Sequence, residues 1–219
     1  MNYLSFDIGI KNLAYCILTP EKVILDWDVI NLNENPICET HLRKKCEKQS
    51  SHFRIDKETG VKHYYCSAHS KKHKQCKKIN TNYDIFQLSK TCIKKLSDID
   101  LSSVKVVLLE NQPALKNPTM KSIQMIVYSF FMMKGVLDDS VPVSEIHMVN
   151  ARNKLKVYKG PPIECNIKEK YKKNKFLSVE YTGKMIESEK ECFQKKFQES
   201  KKKDDLADAY LQGIYWIEK

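Results

Sequence analysis

The chain has 219 residues, with 38 Lys and Arg against 27 Asp and Glu, a formal net charge of +11. Its 42% hydrophobic content, including 11 Tyr and 8 Phe, suffices for a packed core and excludes wholesale disorder, while 6 Gly and 7 Pro exclude collagen-like and Gly/Pro-rich classes. The longest charge-free apolar stretch, residues 122–133, is short and interrupted by Gln124 and Ser129, so no bilayer span is expected. Met1 leads directly into a strand-like run, not a secretory signal, so the expectation is an intracellular chain with one domain carrying a small insertion.

In chain order, residues 3–6, 13–18 and 23–32 are short β-favouring runs, separated at Gly9 and at Pro20-Glu21. They predict a three-stranded antiparallel meander. Residues 36–82 change texture, being dense in Cys, His and Lys and too poor in aliphatics to build a hydrophobic core. Helical periodicity resumes over 84–96, where Ile85, Leu88, Cys92 and Leu96 share a face. Residues 104–109 are a continuous apolar run ending at Glu110, which suits a buried strand. A Met- and aromatic-rich helix over 119–136, a strand near 141–149, a long basic helical region and a last helix over 204–217 complete the chain. The order predicts an α/β fold with a mixed sheet.

Charge is uneven. Residues 38–79 hold 12 Lys/Arg against 4 Asp/Glu, and residues 150–203 hold 16 against 7, while the remainder carries 10 against 16. Two basic segments thus decorate a mildly acidic body, the footprint of a polyanion partner if that body holds a site for phosphate chemistry. Four acids occupy unfavourable places. Asp7 closes an apolar strand, Glu110 closes the buried strand, and Asp205 and Asp208 lie three apart on one face of the last helix. Taken singly, each has an ordinary explanation as a cap or a lysine partner. Converging on one point, they would repel strongly unless cations sat among them, and oxygen-only ligands select Mg²⁺ or Mn²⁺.

Phe6-Asp7-Ile8-Gly9-Ile10-Lys11-Asn12, Leu109-Glu110-Asn111-Gln112-Pro113 and Lys203-Asp204-Asp205-Leu206-Ala207-Asp208-Ala209 follow one another in that order. The set resembles the RuvC-type Holliday-junction resolvases of the RNase H-like superfamily, above all the branch of poxviruses and related large DNA viruses. The resemblance covers most of residues 1–219, apart from the insertion at 36–82. It implies an RNase H-like mixed five-stranded sheet flanked by helices, and a catalytic, metal-binding tetrad of Asp7, Glu110, Asp205 and Asp208. Asp204 competes with Asp205 by position, and the family's Asp-x-x-Asp spacing selects Asp205. The family's lysine in a basic helix maps to Lys175, with Lys173 the second choice. Lys11, Asn12, Lys154, Lys172, Lys173 and Lys175 are the expected nucleic-acid contacts. The activity implied is resolution of four-way branched DNA by paired symmetric nicks, with two Mg²⁺ per site giving 5'-phosphate and 3'-hydroxyl ends. A homodimer, no small-molecule substrate, and a viral replication site or the host cytoplasm (the nucleus as an alternative) are implied too.

Eight cysteines in an intracellular chain argue against a disulfide framework. Cys38-x2-His41-x4-Cys46 and Cys66-x2-His69-x6-Cys76 bracket a loop, a pattern suited to tetrahedral Zn²⁺. Cys38, Cys46, Cys66 and His69 are the preferred ligands, with His41 and Cys76 as substitutes. Four protein ligands make the zinc structural, holding together a segment too poor in aliphatics to fold alone. Cys16, Cys92, Cys165 and Cys192 have no partner spacing. The alternatives to a junction nuclease are an RNase H-like enzyme cutting RNA–DNA hybrids or structured RNA, and a noncatalytic zinc-stabilised nucleic-acid-binding module. An actin-like ATPase is excluded because its further Gly-rich loops are missing from a chain with six scattered glycines.

Overall fold

The computed structural model describes residues 1–33, 35–41, 44–79, 84–115 and 117–219. Residues Met1–Leu32 and Ile85–Lys219 form one compact unit, and Asn33–Asp84 form a second.

The first unit opens with β1 (Asn2–Asp7), β2 (Asn12–Leu18) and β3 (Ile24–Asn31), the antiparallel meander expected from the sequence. The second unit contributes β4 (His52–Ile55), β5 (Lys62–Tyr65), the short helix α1 (Ser67–Ser70) and β6 (Lys77–Lys78). The first unit then resumes with α2 (Ile85–Ser97), β7 (Val104–Glu110), α3 (Pro118–Phe131), β8 (Glu145–Val149), α4 (Lys170–Met185), α5 (Glu191–Glu199) and α6 (Lys203–Ile217).

The main sheet runs β3-β2-β1-β7-β8, with β7 parallel to both β1 and β8. Strand alternation gives it two buried faces. Leu4 and Phe6 of β1 and Val107 and Leu109 of β7 pack with α2 and α3 through Leu88, Cys92, Leu96, Ile123, Val127 and Phe131. On β2, Ala14, Cys16 and Leu18 pack with α6 through Leu206, Tyr210, Leu211 and Ile214, with Trp27 of β3 joining them. Asp7 and Glu110, one residue beyond Phe6 and Leu109, therefore belong to the α6 side.

Three expectations change in detail. The helix expected over 119–136 starts where Asn117 accepts the Met120 N–H at 3.2 Å and Pro118 takes the first turn. It gives way after Phe131 to a π-helical turn, Met132–Leu137. There Gly135 lies against Val143, whose carbonyl oxygen would stand 2.6 Å from a Cβ. Residues 141–144 are occupied by that crossing, and Pro142 offers no N–H, so β8 begins only at Glu145. Ile85 is exposed while Leu88, Cys92 and Leu96 are buried, so the apolar face of α2 starts one turn late.

The second unit has secondary structure of its own, a small antiparallel sheet ordered β5-β4-β6. Its buried centre is Cys38, Tyr65 and Cys66, with Cys46 and Cys76 packed against them. Such a centre is cysteine and tyrosine in place of aliphatic residues.

Candidate active site

Parallel pairing of β1 with β7 sets Phe6 beside Leu109, which brings the next residues, Asp7 and Glu110, together at the ends of neighbouring strands. Helix α6 crosses the same face. Its Gln212 donates to Ser5 Oγ and to the Phe6 carbonyl, each at 3.1 Å, and Trp27 Nε1 donates to the Leu206 carbonyl at 3.0 Å. Asp205, Asp208 and Gln212 are spaced i, i+3 and i+7, so anchoring Gln212 on β1 turns both aspartates toward the strand ends. Asp7, Glu110, Asp205 and Asp208 line one cavity of about 490 Å³. Lys11, Asn12, Arg152, Lys154 and Lys175 share its wall.

Burial, with like charge adding to it, raises the pKa values of Asp7, Asp205 and Asp208. Asp7 stands well above the ordinary carboxylate value, first through burial and then through repulsion from Glu110. Burial also raises Asp208, against the pull of Lys154, and raises Asp205, with Asp204 adding to it. Asp208 is ion-paired with Lys154 through Oδ2, while its buried Oδ1 has no hydrogen-bond partner among the described residues. Asn12 Nδ2 donates to Asp205 Oδ2 at 3.3 Å, and Lys202 approaches the same oxygen at 3.7 Å.

Asp204 is occupied differently. It does not line the cavity but pairs with Lys175, whose ammonium also sits 5.2 Å from the centre of the Tyr171 ring. Burial works to lower the Lys175 pKa, but Asp204 and Tyr171 outweigh it and raise the pKa. Tyr171, Asn174 and Lys175 present one face of α4 to the cavity at i, i+3 and i+4 spacing. Lys172 and Lys173 are exposed on α4 outside this wall, Lys172 paired with Glu169 at 2.7 Å.

The donor set fits divalent magnesium or manganese. It offers carboxylate oxygens alone, with Asp7, Asp205 and Asp208 raised in pKa chiefly by burial, and one buried oxygen of Asp208 left without a hydrogen-bond partner among the described residues.

No family model matches the chain. Over its whole length it is 27% identical, across 311 aligned positions, to an uncharacterised protein of Acanthamoeba polyphaga mimivirus, of which it covers 75%. The fowlpox virus resolvase, in complex with its substrate Holliday junction DNA, aligns at a TM-score of 0.46 and 18% identity over 100% of this chain and 97% of that one. The yeast mitochondrial Holliday junction resolvase aligns at a TM-score of 0.52 and 16% identity, over 98% of this chain and 78% of that one. This chain has the resolvase fold. Its RNase H-like sheet, with the meander first and two parallel strands added, accounts for the position of the acids at strand ends.

Within the resolvase fold, sequence reasoning passed over Arg152, Tyr171, Asn174 and Lys202. The spacing of Tyr171, Asn174 and Lys175 was a usable signal for three of the wall residues in α4. Nothing in the sequence marked Lys154, expected only as a nucleic-acid contact, as the partner of Asp208.

In the second unit, one ligand atom from each of Cys38, Cys46, Cys66 and His69 lies within 4.8 Å of every other, so the four could hold a metal ion. His69 Nδ1 stands 3.4 Å from Cys38 Sγ and 3.5 Å from Cys66 Sγ. A tetrahedral zinc with ordinary Zn–N and Zn–S bonds puts such atoms roughly 3.6 Å apart. Burial pushes the Cys38 thiol up, but hydrogen bonds involving Thr40, the backbone and His69 bring it down to about 6, favouring the thiolate that a metal requires. Cys76 packs beside the group and is not among its four members, and His41 is exposed.

Among the described residues, no helix is long and apolar enough to cross a membrane.

Proposed function

We propose that this chain is a divalent-cation-dependent endonuclease that resolves four-way DNA junctions by paired symmetric nicks, leaving 5'-phosphate and 3'-hydroxyl ends. The observation that carries this reading is the convergence of Asp7, Glu110, Asp205 and Asp208 on one cation-walled cavity in a resolvase fold. Two Mg²⁺ or Mn²⁺ ions held by these four carboxylates would supply the activated water and stabilise the leaving oxygen of phosphodiester hydrolysis.

The chain's own groups do the rest. Lys175, steadied by Asp204 and Tyr171 on the cavity wall, stabilises charge developing on the scissile phosphate. Asn12 orients Asp205 through its hydrogen bond. Lys11, Arg152 and Lys202 hold the phosphates beside the cut, and exposed Lys172 and Lys173 add backbone contacts that position the DNA without reading its sequence. A junction is two-fold symmetric, so a homodimer brings one site to each of two opposed strands.

Zinc on Cys38, Cys46, Cys66 and His69 is structural in this reading, because four protein ligands close its coordination. It shapes a unit whose exposed Lys71, Lys72, Lys74, Lys77 and Lys78 offer a phosphate-contacting surface of that unit's own. The likeness to a mimivirus protein favours a viral replication site or the host cytoplasm as the place of action.

The test uses purified full-length protein with an immobile four-way junction, linear duplex, single strand and RNA–DNA hybrid, each in Mg²⁺, Mn²⁺ or EDTA. Paired nicks confined to the junction and abolished by EDTA are the expected result. Cleavage confined to the hybrid would replace the reading with an RNase H-type activity. Junction binding with no cleavage under any condition would replace it with a noncatalytic binding module.

A further inference from the structure

Lys154 does not lie along the protein surface as a phosphate-contacting lysine would. Its segment is a 3-10 turn, Ala151–Val157, pinned at several points. Asn150 accepts the Arg152 N–H at 3.0 Å, and Asn153 Nδ2 donates to the Tyr215 hydroxyl of α6 at 3.0 Å. Val157 is buried, and Leu155 packs on the same cluster as Leu206, Tyr210 and Ile214 of α6. The turn is thereby fixed to the helix that carries Asp208, and the Lys154 ammonium is delivered to that carboxylate. Both side chains are largely withdrawn from water, at 16% and 17% exposure. Lys175, by comparison, is 38% exposed and paired to Asp204, which does not line the cavity.

We propose that Lys154 is a built-in counter-cation of the acidic centre: it compensates the carboxylates in the cation-free protein and competes with divalent cations for Asp208. The inference rests on the reading that these carboxylates bind divalent cations. A buried acidic cluster without positive charge is strongly destabilising, and a fixed ammonium in the cavity wall relieves that cost. The same ammonium covers one Asp208 oxygen and repels an arriving dication, so it sets the cation concentration at which the centre fills. Releasing Asp208 leaves the Lys154 ammonium in the cavity wall, available to a DNA phosphate.

The experiment is calorimetric titration of Mn²⁺ into full-length wild type, Lys154→Met and Lys154→Arg without DNA, paired with thermal melts in EDTA and in saturating Mn²⁺. Lys154→Met is expected to bind Mn²⁺ at least about tenfold more tightly than wild type, because the competing charge is gone, whereas Lys154→Arg keeps the wild-type affinity or weakens it. In EDTA the methionine variant melts below wild type, and Mn²⁺ closes the gap. Lys154→Gln carries the same expectation and covers the case in which methionine there prevents folding. Equal or weaker Mn²⁺ binding by the uncharged variants overturns the proposal, as does a loss in melting temperature that persists at saturating Mn²⁺, which would mean a packing role alone. If wild type itself binds no Mn²⁺, the metal-centre reading falls and the proposal falls with it, a result distinct from unchanged binding.

Discussion

Gln212 ties the two halves of the acidic centre together, and replacing it tests whether the geometry of α6 on the sheet matters. It is 2% exposed, and its amide nitrogen donates to Ser5 Oγ and to the Phe6 carbonyl at 3.1 Å each, with the Leu108 carbonyl at a longer 3.5 Å. Phe6 immediately precedes Asp7, and Leu108 is two residues before Glu110. Gln212→Leu keeps the volume and deletes both well-formed bonds. At about 1 kcal/mol net per bond, and more for acceptors left buried without a donor, the expected loss is about 2–4 kcal/mol. For a domain of this size that corresponds to roughly 5–15 °C in Tm. Junction cleavage measured well below the new Tm should fall by more than tenfold, because Asp205 and Asp208 lose their fixed placement against Asp7 and Glu110. Urea unfolding and single-turnover cleavage are the assays. A variant with wild-type stability and wild-type cleavage would refute the claim that Gln212 sets the relation of helix to strands.

Three further outcomes are expected. Asp7 has a raised pKa in the folded protein, so its ionisation costs stability above its unfolded value of about 4, and that cost accumulates as pH rises toward the folded value. In EDTA, Asp7→Asn should therefore gain Tm relative to wild type from pH 4 upward, and saturating Mg²⁺ should shrink the gain; a pH-independent difference would contradict this. At Gly9, an added Cβ would stand 2.3 Å from the Asn12 carbonyl oxygen, so Gly9→Ala forces open the turn between β1 and β2. It should cost about 1–3 kcal/mol in urea unfolding and loosen the contact between Asn12 and Asp205, and unchanged stability would count against that turn geometry. The purified protein should carry one equivalent of zinc by elemental analysis. Chelation or Cys38→Ser should abolish zinc binding and unfold Asn33–Asp84 while Met1–Leu32 and Ile85–Lys219 stay folded by hydrogen exchange, whereas full zinc retention by Cys38→Ser would contradict the ligand set.

Much of the fold was legible because its signals are local. Short β-favouring runs announced β1, β2 and β3, and an unbroken apolar run announced β7, since each reports burial of a strand. The π-helical turn after α3 was not legible, because it follows from Gly135 meeting Val143, a contact between segments. Strands β4 and β5 escaped notice because each is only four residues long, and HFRI and KHYY lie in a Cys-, His- and Lys-rich segment where little apolar burial marks a strand. Within the site, Asp7 and Glu110 stood out as acids ending apolar strands, but their adjacency depends on a parallel register that no local pattern encodes. Neighbours in sequence, Asp204 and Asp205 divide between Lys175 and the cavity because a helix turns about 100° per residue. Lys154 was hidden among 16 basic residues of the 150–203 segment, since burial of one ammonium is a property of packing and not of charge density.

The central claim is that Asp7, Glu110, Asp205 and Asp208 act as one centre from which Asp204 is excluded. Single-turnover cleavage of a four-way junction in Mg²⁺ by Asp7→Asn, Glu110→Gln, Asp205→Asn, Asp208→Asn and Asp204→Asn, each matched to wild type in junction affinity, tests it directly. The first four are expected to lose at least about a hundredfold in rate, and Asp204→Asn to stay within about tenfold of wild type. Near-wild-type cleavage by any of the four, or an Asp204→Asn variant as inactive as they are, would contradict it.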